Sequence, residues 1–345
     1  MKHLLSLWVP ILLLAVACSP GTSSPPPTGE PQAASPITAN PPAPTVAEPQ
    51  SAPPPTAQPP APTAPPQPGN AEPTMETCRA WLRETHSLDY PNHGCEEHAA
   101  ILNSVAADGA AAIPLGDNRF FIARFPDDWE RLDDRTLIVA LHGNGGCTER
   151  MYQWWSKPAA QHHYALVTLE YAEADATTEE GYAFDDAPQV YERLRTALDL
   201  LAAHCPLDHT KIIYHGFSRG SALSFPLAMM DRSEEGSKLF AAFISDSGTE
   251  FPDTGGQVPD YLQTAPADAY AGARFWLYCG GRDHEGKTCE GMKRMGPLLD
   301  EHGAEVATYR YEPGGHGIFA TVKPGGPTSP ALDALLEYIE GVPQP

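Results

Sequence analysis

Residues 212–225 read "IIYHGFSRGSALSF". A β-branched run of the kind that fills a buried strand ends at His215. Gly216 and Gly220 then bracket Ser218, and a helical stretch begins at Arg219. A serine held on a sharp strand-to-helix turn projects its hydroxyl above the sheet. Glycines two residues before and two after it relieve the crowding that such a turn creates. The G-x-S-x-G spacing alone is a weak signal. Its place between a strand and a helix is a stronger one. The competing reading is a tight turn with no chemistry, and the flanking sequence separates the two.

Apolar runs alternate with helical patterns on both sides of this stretch. "TLIVALHG" (136–143) and "YALVTLEY" (164–171) are short continuous strands of the buried kind. "NRFFIARF" (118–125) precedes them and is expected to run antiparallel, and further strands are expected within 239–248, 273–281 and 306–317. A helix is predicted over 186–203, with Val190, Leu194, Leu198 and Leu201 on one face and two aspartates at its positive end. The last helix has Ser329 as N-cap, Pro330 at its first position, Gly341 past its end, and Leu332, Leu335, Leu336 and Ile339 as its buried stripe. This alternation predicts an α/β fold, a mostly parallel central sheet flanked by helices. Fewer than about 30 residues separate Asp246 from Arg274, which leaves room for no large lid and predicts an open site.

Three more elements stand at expected strand ends. "LHGNGG" (141–146) can turn backbone N–H groups toward a developing oxyanion, Asn144 being the expected donor, with Gly145 as the alternative, together with the backbone N–H of Arg219. Asp283 follows the "RFWLY" strand, and His316 lies in the glycine-flanked loop after the last one. A serine hydroxyl is a poor nucleophile until an imidazole takes its proton, and the imidazole needs a carboxylate to fix its tautomer. Ser218, Asp283 and His316 are therefore the candidate catalytic residues. Asp246, in "ISDSG", is the competing acid. His142 and His215 are expected to buttress loops by hydrogen bonding. His162 and His163 lack a partner at metal spacing, so no metal site is expected. Glu170 and Glu173 could be paired carboxylates for glycosidic chemistry, but are expected to be solvated residues past a strand. Tyr152, Trp154 and Trp155 could line a substrate pocket or pack a helix on the sheet.

With HGNGG, GFSRG, GGRD and GGHG in that order, the chain resembles the α/β-hydrolase superfamily over nearly all of residues 118–341. Within it the chain resembles secreted serine esterases of the polyhydroxybutyrate depolymerase and feruloyl esterase group, which tend to have Ala-Gly-Gly after the nucleophile where Arg219-Gly220-Ser221 stands here. The resemblance implies hydrolysis of a small or polymeric carboxylic ester, with no cofactor. A peptidase or amidase on the same fold, or an inactive surface binding protein, would share these residues. The chain is expected to be a monomer.

The remaining features concern location. Lys2 and "LLSLWVPILLLAVA" have the form of a signal peptide over residues 1–17. "LAVAC" resembles a bacterial lipobox with Cys18 as the lipidated residue, although Ala15 stands where Leu is usual. Residues 18–74 are dominated by Pro, Ala, Thr and Ser and are expected to form a disordered tether able to reach roughly 170 Å, with a catalytic domain over 75–345. Lipidation of Cys18 would leave six of seven cysteines for disulfides in an oxidising compartment. The expected pairs are Cys78–Cys95, Cys147–Cys205 and Cys279–Cys289. Together these features predict an exported, lipid-anchored protein of the bacterial cell envelope, touching membrane only through its lipid; Ala15-Val16-Ala17 also suits an ordinary signal-peptidase cut, which would make the protein secreted instead. The net charge of −22 argues against nucleic acid or an anionic membrane surface as a partner.

Overall fold

The computed structural model describes residues 72–85, 98–175, 177–178, 181–233, 236–249, 259–321 and 329–344. All of them belong to a unit spanning Gln67–Pro345. The expected signal peptide, Cys18, nearly all of the tether and Cys95 lie outside the described residues.

In chain order, helices α1 (Met75–Thr85) and α2 (His98–Ala107) lead into strands β1 (Ala111–Gly116), β2 (Arg119–Arg124) and β3 (Arg135–Leu141). Helix α3 (Thr148–Gln161) precedes β4 (Ala165–Leu169). A small hairpin, β5 (Ala172–Ala174) and β6 (Tyr182–Phe184), precedes α4 (Ala187–His204). Then come β7 (Thr210–Phe217), α5 (Arg219–Arg232), β8 (Ala242–Asp246), α6 (Asp260–Gln263) and β9 (Arg274–Gly280). Helix α7 (Lys287–Glu301), β10 (Glu305–Tyr311) and α8 (Pro330–Gly341) complete the unit. Two caps follow from the sequence. The Asp186 side chain and Gln189 form a capping box on α4, and Ser329 accepts from the Leu332 N–H on α8. Gly341 is the last residue of α8, one position earlier in the cap than expected, and Pro226 is carried inside α5.

Eight strands form one sheet in the order β1-β2-β4-β3-β7-β8-β9-β10. β2 runs antiparallel to both β1 and β4, and the rest pair in parallel. Alternation along the strands sorts side chains between two layers. Leu137, Val139 and Leu141 face the side covered by α1, α4, α5 and α7, where Val190, Leu194, Leu198 and Leu201 are buried. Ile138 and Ala140 face the opposite side, covered by α2, α3 and α8, where Leu332, Leu335, Leu336 and Ile339 are buried. Parallel connections of this kind bring the carboxyl ends of β3, β7, β8, β9 and β10 to one edge, where ligands bind in open α/β sheets. No helix among the described residues is long and apolar enough to cross a membrane.

The disulfides correct two expected pairs. Cys78 of α1 bonds Cys205, which caps the end of α4, and Cys279 bonds Cys289 as expected. Cys147 is also disulfide-bonded. A Cys147–Cys205 bond is ruled out by register. Arg135 pairs with Thr210 and Leu141 with Gly216, so Cys205 lies before the start of β7 and Cys147 past the end of β3. Those ends are roughly 20 Å apart, well beyond disulfide reach. Cys78 reaches Cys205 because α1 packs beside α4, with Trp81 stacked on His204 at 4.4 Å. This bond spans 127 residues. Replacing both cysteines by Ser is expected to cost about 2–4 kcal/mol in urea denaturation, and non-reducing peptide mapping should recover the 78–205 cross-link.

Candidate active site

Ser218 sits between β7 and α5 with φ 53° and ψ −111°, a conformation that side chains other than glycine rarely adopt. Its N–H donates to the Asp246 carbonyl at 2.8 Å, which fixes the turn against the end of β8. The flanking glycines are required by space. A Cβ on Gly216 would lie 2.0 Å from the Gly220 carbonyl oxygen, and one on Gly220 would lie 2.7 Å from that of Leu141. Both obstacles are backbone. Gly216→Ala is therefore expected to displace the turn, with a loss of stability of about 1–3 kcal/mol and a fall in activity. A chemical denaturation midpoint measured beside an activity assay checks both.

Ser218 Oγ donates to His316 Nε2 at 3.0 Å. His316 Nδ1 donates to both carboxylate oxygens of Asp283, at 2.9 and 3.1 Å. Asp283 is only 2 % exposed and follows the end of β9, while His316 is half-buried in the loop after β10. The hydrogen bond to Asp283 raises the His316 pKa above the ordinary imidazole value. Burial acts in the opposite direction, and the charges of Asp283 and Asp246 add to the rise. The arrangement can pass a proton from the serine to the imidazole and hold the resulting imidazolium.

Asp246 takes a different place from that of a competing acid. Its carboxylate accepts from the Ile318 N–H at 3.1 Å, two residues past His316, and lies 3.5 Å from His215 Nε2. Ser247 Oγ accepts from the Gly317 N–H at 2.8 Å. The end of β8 thus holds both the Ser218 turn and the His316 loop. His215 accepts from the indole N–H of Trp155 at 3.2 Å, which places its own proton on Nε2, facing Asp246.

The turn after β3 is braced from below. His142 and Gly143 are buried and Asn144 is exposed. His142 Nε2 lies 3.0 Å from Glu170 Oε1 and its Nδ1 lies 2.9 Å from the Gly143 carbonyl. Burial alone would lower the His142 pKa. The Glu170 charge and hydrogen bond, with the Gly143 carbonyl, outweigh it and raise the value. The Tyr171 hydroxyl donates to the His142 carbonyl at 2.6 Å. Glu170 is not the solvated residue expected from sequence. It is 1 % exposed and also accepts from the N–H groups of Thr148 and Ala172. Glu173, half-exposed, pairs with Arg119 instead. The Arg219 N–H opens α5, where helical N–H groups have no intrahelical acceptor and the helix dipole is positive.

A cleft of about 530 Å³ opens over Ser218 and His316, with Asn144, Arg219, His284 and Lys287 on its walls. Tyr152 and Trp155 do not line it. Both are buried on α3, against the sheet. Trp154 stands behind the cleft, edge-on to Phe217 at 5.4 Å, and Phe217 in turn touches the His316 ring at 4.9 Å. These aromatic residues pack the helix that follows the turn, the alternative their spacing had left open. Asp283, His284 and His316 also present possible metal-ligating atoms within 4.8 Å of one another. In this geometry both His316 nitrogens already have partners in Ser218 and Asp283.

The strand order, the turn between β7 and α5 and the clustering of these residues at the carboxyl edge define an α/β-hydrolase fold. Among solved structures, one of two fungal esterases from Rhizomucor miehei aligns over 79 % of this chain and 98 % of its own, with a TM-score of 0.52 at 13 % identity. An esterase from the hyperthermophilic archaeon Pyrobaculum calidifontis aligns over 78 % and 98 %, with a TM-score of 0.49 at 15 % identity. Brefeldin A esterase, a bacterial homologue of human hormone-sensitive lipase, aligns over 76 % and 91 %, with a TM-score of 0.48 at 14 % identity. No family model and no curated protein matches the sequence.

Proposed function

We propose that this protein is an exported serine hydrolase of carboxylic esters. The observation that supports it most is the continuous hydrogen-bonded line from Ser218 Oγ through His316 to Asp283, opening on a solvent-accessible cleft. In this reading Ser218 Oγ attacks the acyl carbon while His316 Nε2 takes its proton. The carbonyl oxygen becomes an oxyanion held by the backbone N–H groups of Asn144 and Arg219. His316 then protonates the leaving alcohol and an acyl-Ser218 remains. Water, deprotonated by His316, attacks the acyl carbon and releases the acid, returning the proton to Ser218. Asp283 holds the imidazole in the required tautomer throughout.

The disulfides suit an oxidising compartment, and the lipobox-like "LAVAC" with Cys18 supports attachment to the cell envelope through lipid. The resemblance to the depolymerase and feruloyl esterase group favours an ester as substrate, while the same residues would serve a peptidase or amidase, so substrate profiling separates the two. The test is a panel of short-chain aryl esters, feruloyl esters, acetylated sugars and polyester films, set beside matched anilides. Turnover of an ester with a pre-steady-state burst close to one product per enzyme is the expected result. Turnover of anilides alone, or of nothing in the panel, would overturn the reading.

A further inference from the structure

The turn after β3 holds a proton that its surroundings require. His142 is buried, and both of its ring nitrogens face acceptors. Nδ1 lies 2.9 Å from the Gly143 carbonyl oxygen, and Nε2 lies 3.0 Å from Glu170 Oε1. A carbonyl oxygen can only accept. The Glu170 carboxylate is acting as an acceptor too, because it takes the N–H groups of Thr148 at 3.1 Å and Ala172 at 3.0 Å. Each ring nitrogen therefore carries a hydrogen, and His142 is an imidazolium. Glu170 has contacts besides these, and they leave the count at the two ring nitrogens unchanged. Burial disfavours the charge on His142. The Glu170 carboxylate outweighs burial, and the buried Glu149 of α3 adds a smaller contribution. The Tyr171 ring packs beside the imidazole at 4.5 Å, with its hydroxyl turned to the His142 carbonyl.

The imidazolium sets the direction of one peptide unit. The Gly143 carbonyl accepts from His142 Nδ1–H and, at 3.1 Å, from the Gly146 N–H. In a trans peptide the C=O and the N–H that follows it point in opposite directions. Two donors on the Gly143 carbonyl thus turn the Asn144 N–H away from the buried imidazole. Asn144 and Ser218 both line the cleft. Gly143 passes so close to the serine that a Cβ on it would lie 2.7 Å from Ser218 Cβ. The Gly146 N–H is engaged inside the turn, which Gly145 closes at φ 63°.

We infer that His142 is a positioning residue for ester cleavage: paired with Glu170, it holds the Gly143 carbonyl and so keeps the Asn144 N–H aimed at the oxyanion. This rests on the reading of Ser218 as the nucleophile and deepens it. A donor fixed in this way needs no reorganisation as negative charge develops. Without the second ring proton, either the Gly143 carbonyl or the Glu170 carboxylate would face a bare nitrogen lone pair, and the turn would lose an anchor.

The test follows hydrolysis of 4-nitrophenyl acetate by wild type, His142→Leu and His142→Asn, with Ser218→Ala as control. Turnover is expressed per Ser218 site titrated by a fluorophosphonate. The Asn amide N–H₂ can stand in for Nδ1–H, whereas Leu has no donor. Loss of an oxyanion donor outright costs about 10²- to 10³-fold, so His142→Leu, which leaves the donor in place but poorly aimed, is expected to lower kcat about 10- to 100-fold with little change in KM. His142→Asn should recover most of that loss. Inhibition by 2,2,2-trifluoroacetophenone, whose Ser218 adduct places an anionic oxygen at the same donors, should weaken in step with kcat/KM in His142→Leu. A role in stability alone would reduce the number of titrated sites and leave turnover per site unchanged, and that result overturns the inference. Equal losses in the Leu and Asn variants also overturn it. Should His142→Leu not fold, imidazole-nitrogen NMR of His316→Ala at about pH 8, above the ordinary imidazole pKa, reads the ring itself. One imidazolium with both N–H protons is the expected result, and neutral imidazoles alone would overturn the inference. Unchanged turnover in Ser218→Ala overturns the nucleophile reading instead, while Ser218-dependent turnover that His142→Leu leaves intact overturns this inference alone.

Discussion

Replacing Ser218 by Ala is expected to lower turnover of a simple aryl ester by at least about 10³-fold. The substitution removes the oxygen proposed to attack, the one 3.0 Å from His316 Nε2. It leaves the fold alone. The strained φ of 53° is imposed by the strand–turn–helix geometry and by the bond from the Ser218 N–H to the Asp246 carbonyl, which a backbone group makes whatever the side chain. The backbone N–H groups of Asn144 and Arg219, proposed to hold the oxyanion, also remain, so residual activity above that of buffer is expected, and the loss should fall on kcat rather than KM. Steady-state kinetics on protein of unchanged denaturation midpoint checks this. Unchanged turnover would mean that another group carries the reaction.

Asp283→Asn is expected to cost about 10³- to 10⁴-fold in kcat. The amide is almost isosteric, so packing is preserved. Its N–H₂ can now be presented to His316 Nδ1, which favours the tautomer with the proton on Nε2, and that nitrogen then cannot accept from Ser218. The pH profile adds a second readout. His316 must be neutral to take the serine proton, so kcat/KM rises as pH climbs through its pKa. That pKa is raised chiefly by the hydrogen bond to Asp283, so the acid limb of the wild-type profile should lie above the ordinary imidazole value. In Asp283→Asn both that bond to a carboxylate and its charge are gone, so the limb should move to lower pH while the plateau falls. Asp246→Asn provides the contrast. An amide oxygen there can still accept from the Ile318 N–H, so a smaller loss is expected. A larger loss at Asp246 than at Asp283 would exchange the roles of the two acids.

Much of this was legible in the sequence because it is periodic or local. Buried parallel strands are continuous apolar runs, and "TLIVAL" and "KIIYHG" became β3 and β7 within a residue or two. Ser218, Asp283 and His316 could be nominated together because each follows a strand, and parallel strands bring their ends to one edge. Non-local features were harder to read. Glu170 looks like a polar residue leaving a strand, and only the approach of His142, just past β3, and of the Thr148 N–H at the start of α3, 28 and 22 residues earlier, gives it buried partners to satisfy. The Cys78–Cys205 bond depends on where α1 docks, which no local pattern encodes. The register of two parallel strands, however, was enough to exclude Cys147–Cys205. β5 and β6, three residues each, are too short for any period to show, and the Arg219 side chain has no reading without Phe184 on that hairpin.

The central claim is that Ser218 is an activated nucleophile, and covalent labelling tests it most directly. The purified protein is treated with a fluorophosphonate, digested and mapped by mass spectrometry. The expected result is close to one label per chain on the peptide containing Ser218, lost in Ser218→Ala and strongly slowed in His316→Ala. No label on folded protein, or a label that persists in Ser218→Ala, would contradict it.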